Sequence, residues 1–247
     1  MKDQRFNRTA LIFGDAGMKR IKEAKIAVVG LGGVGSAIAE MLVRSGIGSM
    51  LIVDFDSISI TNINRQITAL DSTVSRLKTE VLAERLRDIN PELNLTVASV
   101  FCDETNRSKL LSDSDFIVDA IDSLTPKVGL IEYAYNSNIK IISCMGAANR
   151  VDPSMIRLND IGKSSNCPLA ARVRRYLNKR GIVSGVPVVY SIEKPLPIGE
   201  PGVDEAGTLE RGRKRTALGS TAHLPAAFAS WAVSYILRNI AWDYTIL

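Results

Sequence analysis

The chain has 247 residues, 46% hydrophobic and 23% charged, the balance of a globular protein with a sizeable core. Its 31 Lys and Arg against 26 Asp and Glu leave a formal charge of +5, which suits an anionic partner without identifying one. The three cysteines, Cys102, Cys144 and Cys167, form no CxxC pair, so a four-cysteine zinc site is excluded and a disulfide framework is not expected.

The opening MKDQRFNRTALIFGD holds no apolar core before a cleavage signal, so a cytoplasmic protein without a secretory leader is expected. KIAVVG (25–30) reads as a strand. Val34, Ala37, Ile38, Met41 and Leu42 then mark one helix face at i, i+3, i+4, i+7 and i+8. SMLIVDF is a second strand, and RLKTEVLAERLRDIN a charged amphipathic helix stopped by Pro91. LNLTVASV, DFIVDA and KIISCM are further strands, with a helix from about Pro126 to Asn136 before the last. After Met145 the pattern loosens into a basic helix, PLAARVRRYLNKR, and a strand, GVPVVYS. Glu193 to Arg215 is rich in Pro, Gly and charge and reads as a long functional or disordered loop. A helix around Leu224–Ile240 closes the chain.

Repeated strand–helix units predict an α/β fold: a Rossmann-like, doubly wound, mainly parallel sheet with a C-terminal elaboration. One domain over residues 1–247 is expected, its nucleotide-binding core at about 20–145 and its elaboration at about 146–247. Thr216 to Leu237 lacks Asp, Glu, Lys and Arg, about the length of a membrane span. Gly219, Ser220, His223 and Pro225 interrupt it, so a buried helix explains it better. Stable membrane insertion is not expected, and peripheral association through this apolar segment stays open.

Gly30, Gly32 and Gly35 form GxGxxG directly after a strand and opening a helix, the context in which main-chain N–H groups approach a phosphate. Asp54, ending the second strand, is placed to accept hydrogen bonds from ribose hydroxyls. A redox dinucleotide and ATP are equally served by these residues. The next stretch separates them. DFDSISITNINRQ places Asn62 and Arg65 after the second strand, and STVSRLKTE places Lys78 at a helix start. Attack at the α-phosphorus of a triphosphate adds charge to oxygens that already carry several, and fixed cations answer it. Singly, Arg65 and Lys78 also read as solvated surface cations. Asp122, at the C-terminal edge of a parallel strand, stands where a Mg²⁺ ligand would, or caps the following helix; Asp119 caps or pairs structurally.

RFNR, VVGLGGVGS, DFDSISITNINRQ, STVSRLKTE, INPELN and DAIDS stand in the order and spacing of the adenylating enzymes related to ubiquitin activation, the family of the molybdopterin and thiamine sulfur-carrier activators. The chain resembles that family from about Arg5 to Met145. The resemblance implies ATP and Mg²⁺ as the site's contents; many of the family carry two CxxC pairs for structural zinc, and this chain, having neither, is expected to hold none. The resemblance implies that Gly30, Gly32, Gly33 and Gly35 line the nucleotide, and that Asp54 holds its ribose. Asp56, Thr61, Asn62, Arg65 and Lys78 would surround the phosphates, and Asp122, beside Ser123, would hold the magnesium. Arg8 matches an arginine inserted into the neighbouring subunit's site, which implies a homodimer with Arg8, Arg65, Lys78 and Asp122 as catalytic residues. From the residues alone, Arg8 is a surface residue of a loosely held terminus.

The second half, with PLAARVRR, GVPVVYSIEKP and a closing LGS, resembles the branch that dehydrates threonylcarbamoyladenosine in transfer RNA. That resemblance implies adenylation of the threonine carboxylate, then attack by the ureido group of the same base with release of AMP. Some bacterial members carry a cysteine in the GVPVVYS strand, where this chain has Val188. Arg172, Arg174, Arg175, Lys179 and Arg180, with Arg211, Arg213, Lys214 and Arg215, form two basic clusters that fit an RNA backbone or are solvated faces. Sulfur-relay proteins stay open as partners, with Cys167 an exposed thiol or a plain helix-start residue. His223, the one histidine, reads as structural. The competing readings are an adenylating activator of a small sulfur-carrier or ubiquitin-like protein, disfavoured by the missing CxxC pairs, and a non-catalytic adapter, which would not need Arg65, Lys78 and Asp122.

Overall fold

The computed structural model describes residues 4–197 and 218–242. Seven strands form one sheet: β1 (Lys25–Val29), β2 (Ser49–Val53), β3 (Asn94–Ala98), β4 (Phe116–Asp119), β5 (Lys140–Cys144), β6 (Ile156–Asp160) and β7 (Pro187–Ser191). Their order is β3-β2-β1-β4-β5-β7-β6, parallel throughout except that β6 runs antiparallel to β7. The chain therefore winds outward one way from β1 and the other way from β4, which makes the β1/β4 junction a topological switch point. Ligands of open α/β sheets bind at the carboxyl ends of the strands there.

Alternate strand residues face opposite layers, and both faces are apolar. Ile26, Val28, Met50, Ile52, Phe116 and Val118 pack with α2 (Gly33–Arg44), α3 (Lys78–Ile89) and α7 (His223–Trp242). Ala27, Val29, Val53 and Ile117 pack on the other side with α5 (Leu124–Asn136) and α6 (Pro168–Asn178). The short α4 (Arg107–Leu111) joins that second layer through Leu111.

Several expectations need correction. The N-terminus is a helix, α1 (Asn7–Glu23), kinked at Gly14 where φ is 67° and packed against α7. Arg20 donates to the Ala241 carbonyl from Nε at 3.0 Å, tying the two helices at their ends. α5 begins at Leu124, two residues before Pro126, because Pro lacks an N–H but is tolerated in a first turn where that donor is unpaired anyway. β6 was not legible: IRLND has no clean alternation, and it pairs only with β7 as an edge strand.

The apolar segment near the C-terminus is α7, buried at Leu224, Phe228, Ala232 and Ile236 against α1, α2 and the sheet. Among the described residues, no helix is long and apolar enough to cross a membrane. Phe228 is wholly buried, whereas Trp231, three residues on, is 42% exposed. Phe228→Ala is expected to lower stability in urea unfolding by about 3–5 kcal/mol. Trp231→Ala should change it by less than about 0.5 kcal/mol.

Candidate active site

After β1 the chain turns at Gly30, whose φ of 91° lies in the left-handed region that favours glycine. A Cβ there would also sit 2.8 Å from the main chain of Ala120, just past β4. Gly35 is tighter still: its Cβ would lie 1.8 Å from the Gly30 carbonyl oxygen. At Gly32, by contrast, no described atom lies within 4 Å of a Cβ position, so the main chain is open to an approaching group. α2 starts at Gly33 with no side-chain cap and no acidic residue in its first turn. Its unpaired N–H groups and positive dipole end suit an anion.

Asp54 is buried and fastens this turn. Its Oδ2 accepts from Leu31 N at 2.6 Å and its Oδ1 from Asp56 N at 2.8 Å. Burial pushes its carboxyl above the ordinary range, opposed by the Lys78 charge and by these amides. Asp56 in turn accepts from Lys78 Nζ at 2.8 Å, with the lysine side chain only 8% exposed.

Arg65 closes the other side. A Cβ at Gly33 would lie 3.1 Å from the Arg65 carbonyl oxygen and 3.2 Å from Pro225 Cβ, so the start of α2, the 60–66 turn and the start of α7 converge there. Arg65 Nη1 donates to the Thr61 carbonyl at 2.9 Å and to Asn64 Oδ1 at 2.8 Å. Asn62 Oδ1 accepts from Ser59 N at 3.2 Å, capping the turn, so its NH₂ is the donor it can offer a ligand. Thr61 shares a hydroxyl contact of 2.7 Å with Ser59.

At the end of β4 the two aspartates part ways. Asp119 is wholly buried: its Oδ2 accepts from Lys127 Nζ at 2.7 Å and from Ser143 Oγ at 2.6 Å, and its Oδ1 from Ile121 N at 3.1 Å. Lys127, equally buried, also donates to the Cys144 carbonyl at 2.9 Å. Asp122 is exposed, and Ser123, not Asp122, occupies the N-cap position of α5. No motif in the sequence singles out Lys127. The available signal was its place on the helix face of Leu130, Ile131 and Ala134, where a charge needs a buried partner.

No cysteine is exposed. Burial pushes the Cys144 thiol up to about 12 and raises that of Cys102. Cys167 is the N-cap of α6, its Sγ accepting from Ala170 N at 3.5 Å, which corrects the exposed-thiol alternative. His223 Nε2 contacts the Val151 carbonyl at 2.8 Å.

The basic helix is divided. Arg174 turns inward, donating to the Ser164 carbonyl at 2.7 Å, and Arg180 pairs with Glu132 at 3.0 Å. Arg172, Arg175 and Lys179 are exposed, the last two over the ring of Tyr176. Arg211, Arg213, Lys214 and Arg215 lie outside the described residues. Arg8 is exposed on α1, far in sequence from the glycine turn.

A parallel sheet that opens at a glycine turn, with an uncapped helix terminus at its switch point, is the frame of a nucleotide-binding enzyme of the adenylating class. The chain belongs to the ThiF family, which it matches over residues 6–243. It is 36% identical over 244 residues to the tRNA threonylcarbamoyladenosine dehydratase of Bacillus subtilis, covering 98% of this chain and 96% of that protein. The crystal structure of Escherichia coli tRNA N6-threonylcarbamoyladenosine dehydratase, TcdA, in complex with ATP superposes with a TM-score of 0.85 at 36% identity, covering 97% and 95% of the two chains. The molybdopterin-synthase adenylyltransferase of Escherichia coli is 29% identical over 150 residues, covering 60% of this chain and 59% of that protein.

Lys127→Met would leave Asp119 buried without its cation, and is expected to cost about 3–5 kcal/mol in denaturant unfolding. Adding Asp119→Asn to the same protein should recover part of that loss, because the uncompensated charge is gone.

Proposed function

We propose that the protein, as one adenylating unit over its whole length, uses ATP to dehydrate and cyclise N6-threonylcarbamoyladenosine in transfer RNA. The carrying observation is extent: similarity to the Bacillus subtilis dehydratase runs through 98% of the chain, against 60% for the molybdopterin-synthase adenylyltransferase. The C-terminal elaboration therefore belongs to the likeness, as well as the nucleotide turn.

The threonine carboxylate oxygen attacks the α-phosphorus of ATP, and the bond to pyrophosphate breaks. The resulting acyl-adenylate is attacked by the ureido group of the same base, AMP leaves with the bonding electron pair as the ring closes, and the ureido N–H proton is given up to solvent. An intramolecular nucleophile has a high effective molarity, so no enzyme thiol is required. The buried cysteines are consistent with that, and a sulfur-relay protein is not a necessary partner.

Charge developing on the α-phosphate oxygens falls to preorganised donors: the α2 terminus beside Gly32 and Gly33, the Asn62 amide, Arg65 and Lys78. Asp54 keeps a lone pair on each oxygen for the ribose hydroxyls, and Asp56 holds Lys78 in place. Mg²⁺ beside a triphosphate needs only one or two carboxylates, and Asp122, exposed past the end of β4, would supply one. When bound, Mg²⁺ would neutralise charge on the phosphate oxygens. Among the described residues no cluster of three or more His, Cys, Asp or Glu is poised to hold a metal by itself.

Next to Arg8 on α1, Leu11 is 87% and Ile12 67% exposed, an apolar face suited to a second copy in a homodimer that carries Arg8 to the partner's site. Arg172, Arg175 and Lys179 would meet transfer RNA phosphates. The working compartment is the cytoplasm, with that RNA.

Two measurements test this reading. With ATP, AMP release should require transfer RNA that bears threonylcarbamoyladenosine. Arg65→Ala or Lys78→Ala should lower its rate about 10²–10³-fold. Release dependent only on a small carrier protein would overturn the assignment. In the second, replacing Arg172, Arg175 and Lys179 together with alanine should weaken transfer RNA binding. Its log–log salt slope should flatten by about one unit for each phosphate left without its cation.

A further inference from the structure

Asn64 stands between the phosphate-facing arginine and the C-terminal elaboration, with both ends of its amide engaged. Its Oδ1 accepts from Arg65 Nη1 at 2.8 Å, and its Nδ2 donates to the Ser220 carbonyl at 2.9 Å, 156 residues away. With the Thr61 carbonyl, Asn64 gives Arg65 Nη1 two acceptors, while Nε and Nη2 make no hydrogen bond among the described residues. A guanidinium is planar and rigid, so fixing one nitrogen by two acceptors fixes where its other N–H groups face.

The far end of the amide is itself anchored. The carbonyl of Gly219, next to Ser220, accepts from Asn149 N at 2.8 Å, and the Asn149 carbonyl accepts from Leu196 N at 2.7 Å. Asn149 holds a left-handed φ of 57° to make these bonds just after β5. Arg150, only 4% exposed, secures the same corner by donating to the carbonyls of Gly146, Ala148, Asn166 and Glu193. The Asn64 amide thus joins the 60–66 turn to a strap fixed on the segments that follow β5 and β7. Leucine supplies neither bond, and aspartate lacks the donor.

We infer that Asn64 is a positioning residue, which orients Arg65 toward the phosphates of ATP and sets that orientation by the Gly219–Ser220 strap. This rests on the reading that Arg65 meets the phosphates, and the test separates the two. Affinity for ATP would be measured by calorimetry, without transfer RNA, for wild type, Asn64→Leu, Arg65→Ala and the double variant. Asn64 is exposed, so Asn64→Leu should leave the melting temperature close to wild type.

The inference predicts that Asn64→Leu weakens ATP binding about tenfold, and that it has no further effect once Arg65 is alanine. Equal weakening in both backgrounds would mean that Asn64 does not act through Arg65 and would overturn the inference. So would unchanged affinity in Asn64→Leu beside a weakened Arg65→Ala. If Arg65→Ala itself bound ATP as wild type does, the phosphate reading would fall, and the inference with it.

Discussion

The carbonyl oxygen of Gly30 occupies the place that a side chain at position 35 would need. That single contact forces the strand-to-helix turn to be tight, and so brings the first turn of α2 directly over the end of β1. Because Gly30 also rests on the main chain of Ala120, the turn is braced on β4, across the point where the winding of the sheet reverses. Asp54 completes the brace from β2 by holding Leu31. The open main chain at Gly32 is what this crowding leaves for a ligand. A helix terminus placed so, without an acidic residue to neutralise it, is the centre from which the electrostatics of the site extend.

Charge is distributed around that centre by burial. Asp119 and Lys127 are fully buried, and they compensate one another with the help of Ser143 and main-chain carbonyls. A carboxylate enclosed in this way is structural: it shapes the turn after β4 without facing solvent. Asp122, three residues on, carries the same chemistry at the surface. Lys78 is buried too, held by Asp56 through one bond while three N–H groups belong to its ammonium. On the basic segment Arg174 donates to Ser164, and Arg180, exposed beyond the end of α6, pairs with Glu132, while Arg172, Arg175 and Lys179 are exposed.

The chain after β5 is continuous with the rest of the sheet. β7 adds to β5 in the same parallel sheet, and β6 closes the edge by running the other way. Glu193 accepts from Val151 N at 3.1 Å and from Asp152 N at 3.0 Å, so the end of β7 and the segment after β5 form one corner. α7 returns to lie along α2, bringing Pro225 against Gly33. Residues more than 150 positions apart in sequence therefore converge at the start of α2. This gives a physical reason why a likeness extending through the elaboration bears on which carboxylate is activated.

By itself, the sequence determined the parts whose causes are local. Apolar runs such as KIAVV and FIVD read as strands buried on both faces, and the spacing of Gly30, Gly32 and Gly35 declared a turn in which Gly30 and Gly35 leave no room for a side chain. The family resemblance was legible for the same reason: it is a pattern along the chain. The tertiary structure decided the rest. It neutralised Asp119 with Lys127, put Ser123 at the cap, turned Arg174 to Ser164, enclosed Cys167, and joined Asn64 to Ser220. Spacing along a chain states which face a side chain shares with its neighbours. Which distant donor or acceptor it meets depends on how whole layers pack, and that packing decides whether a charged group is a ligand or a strut.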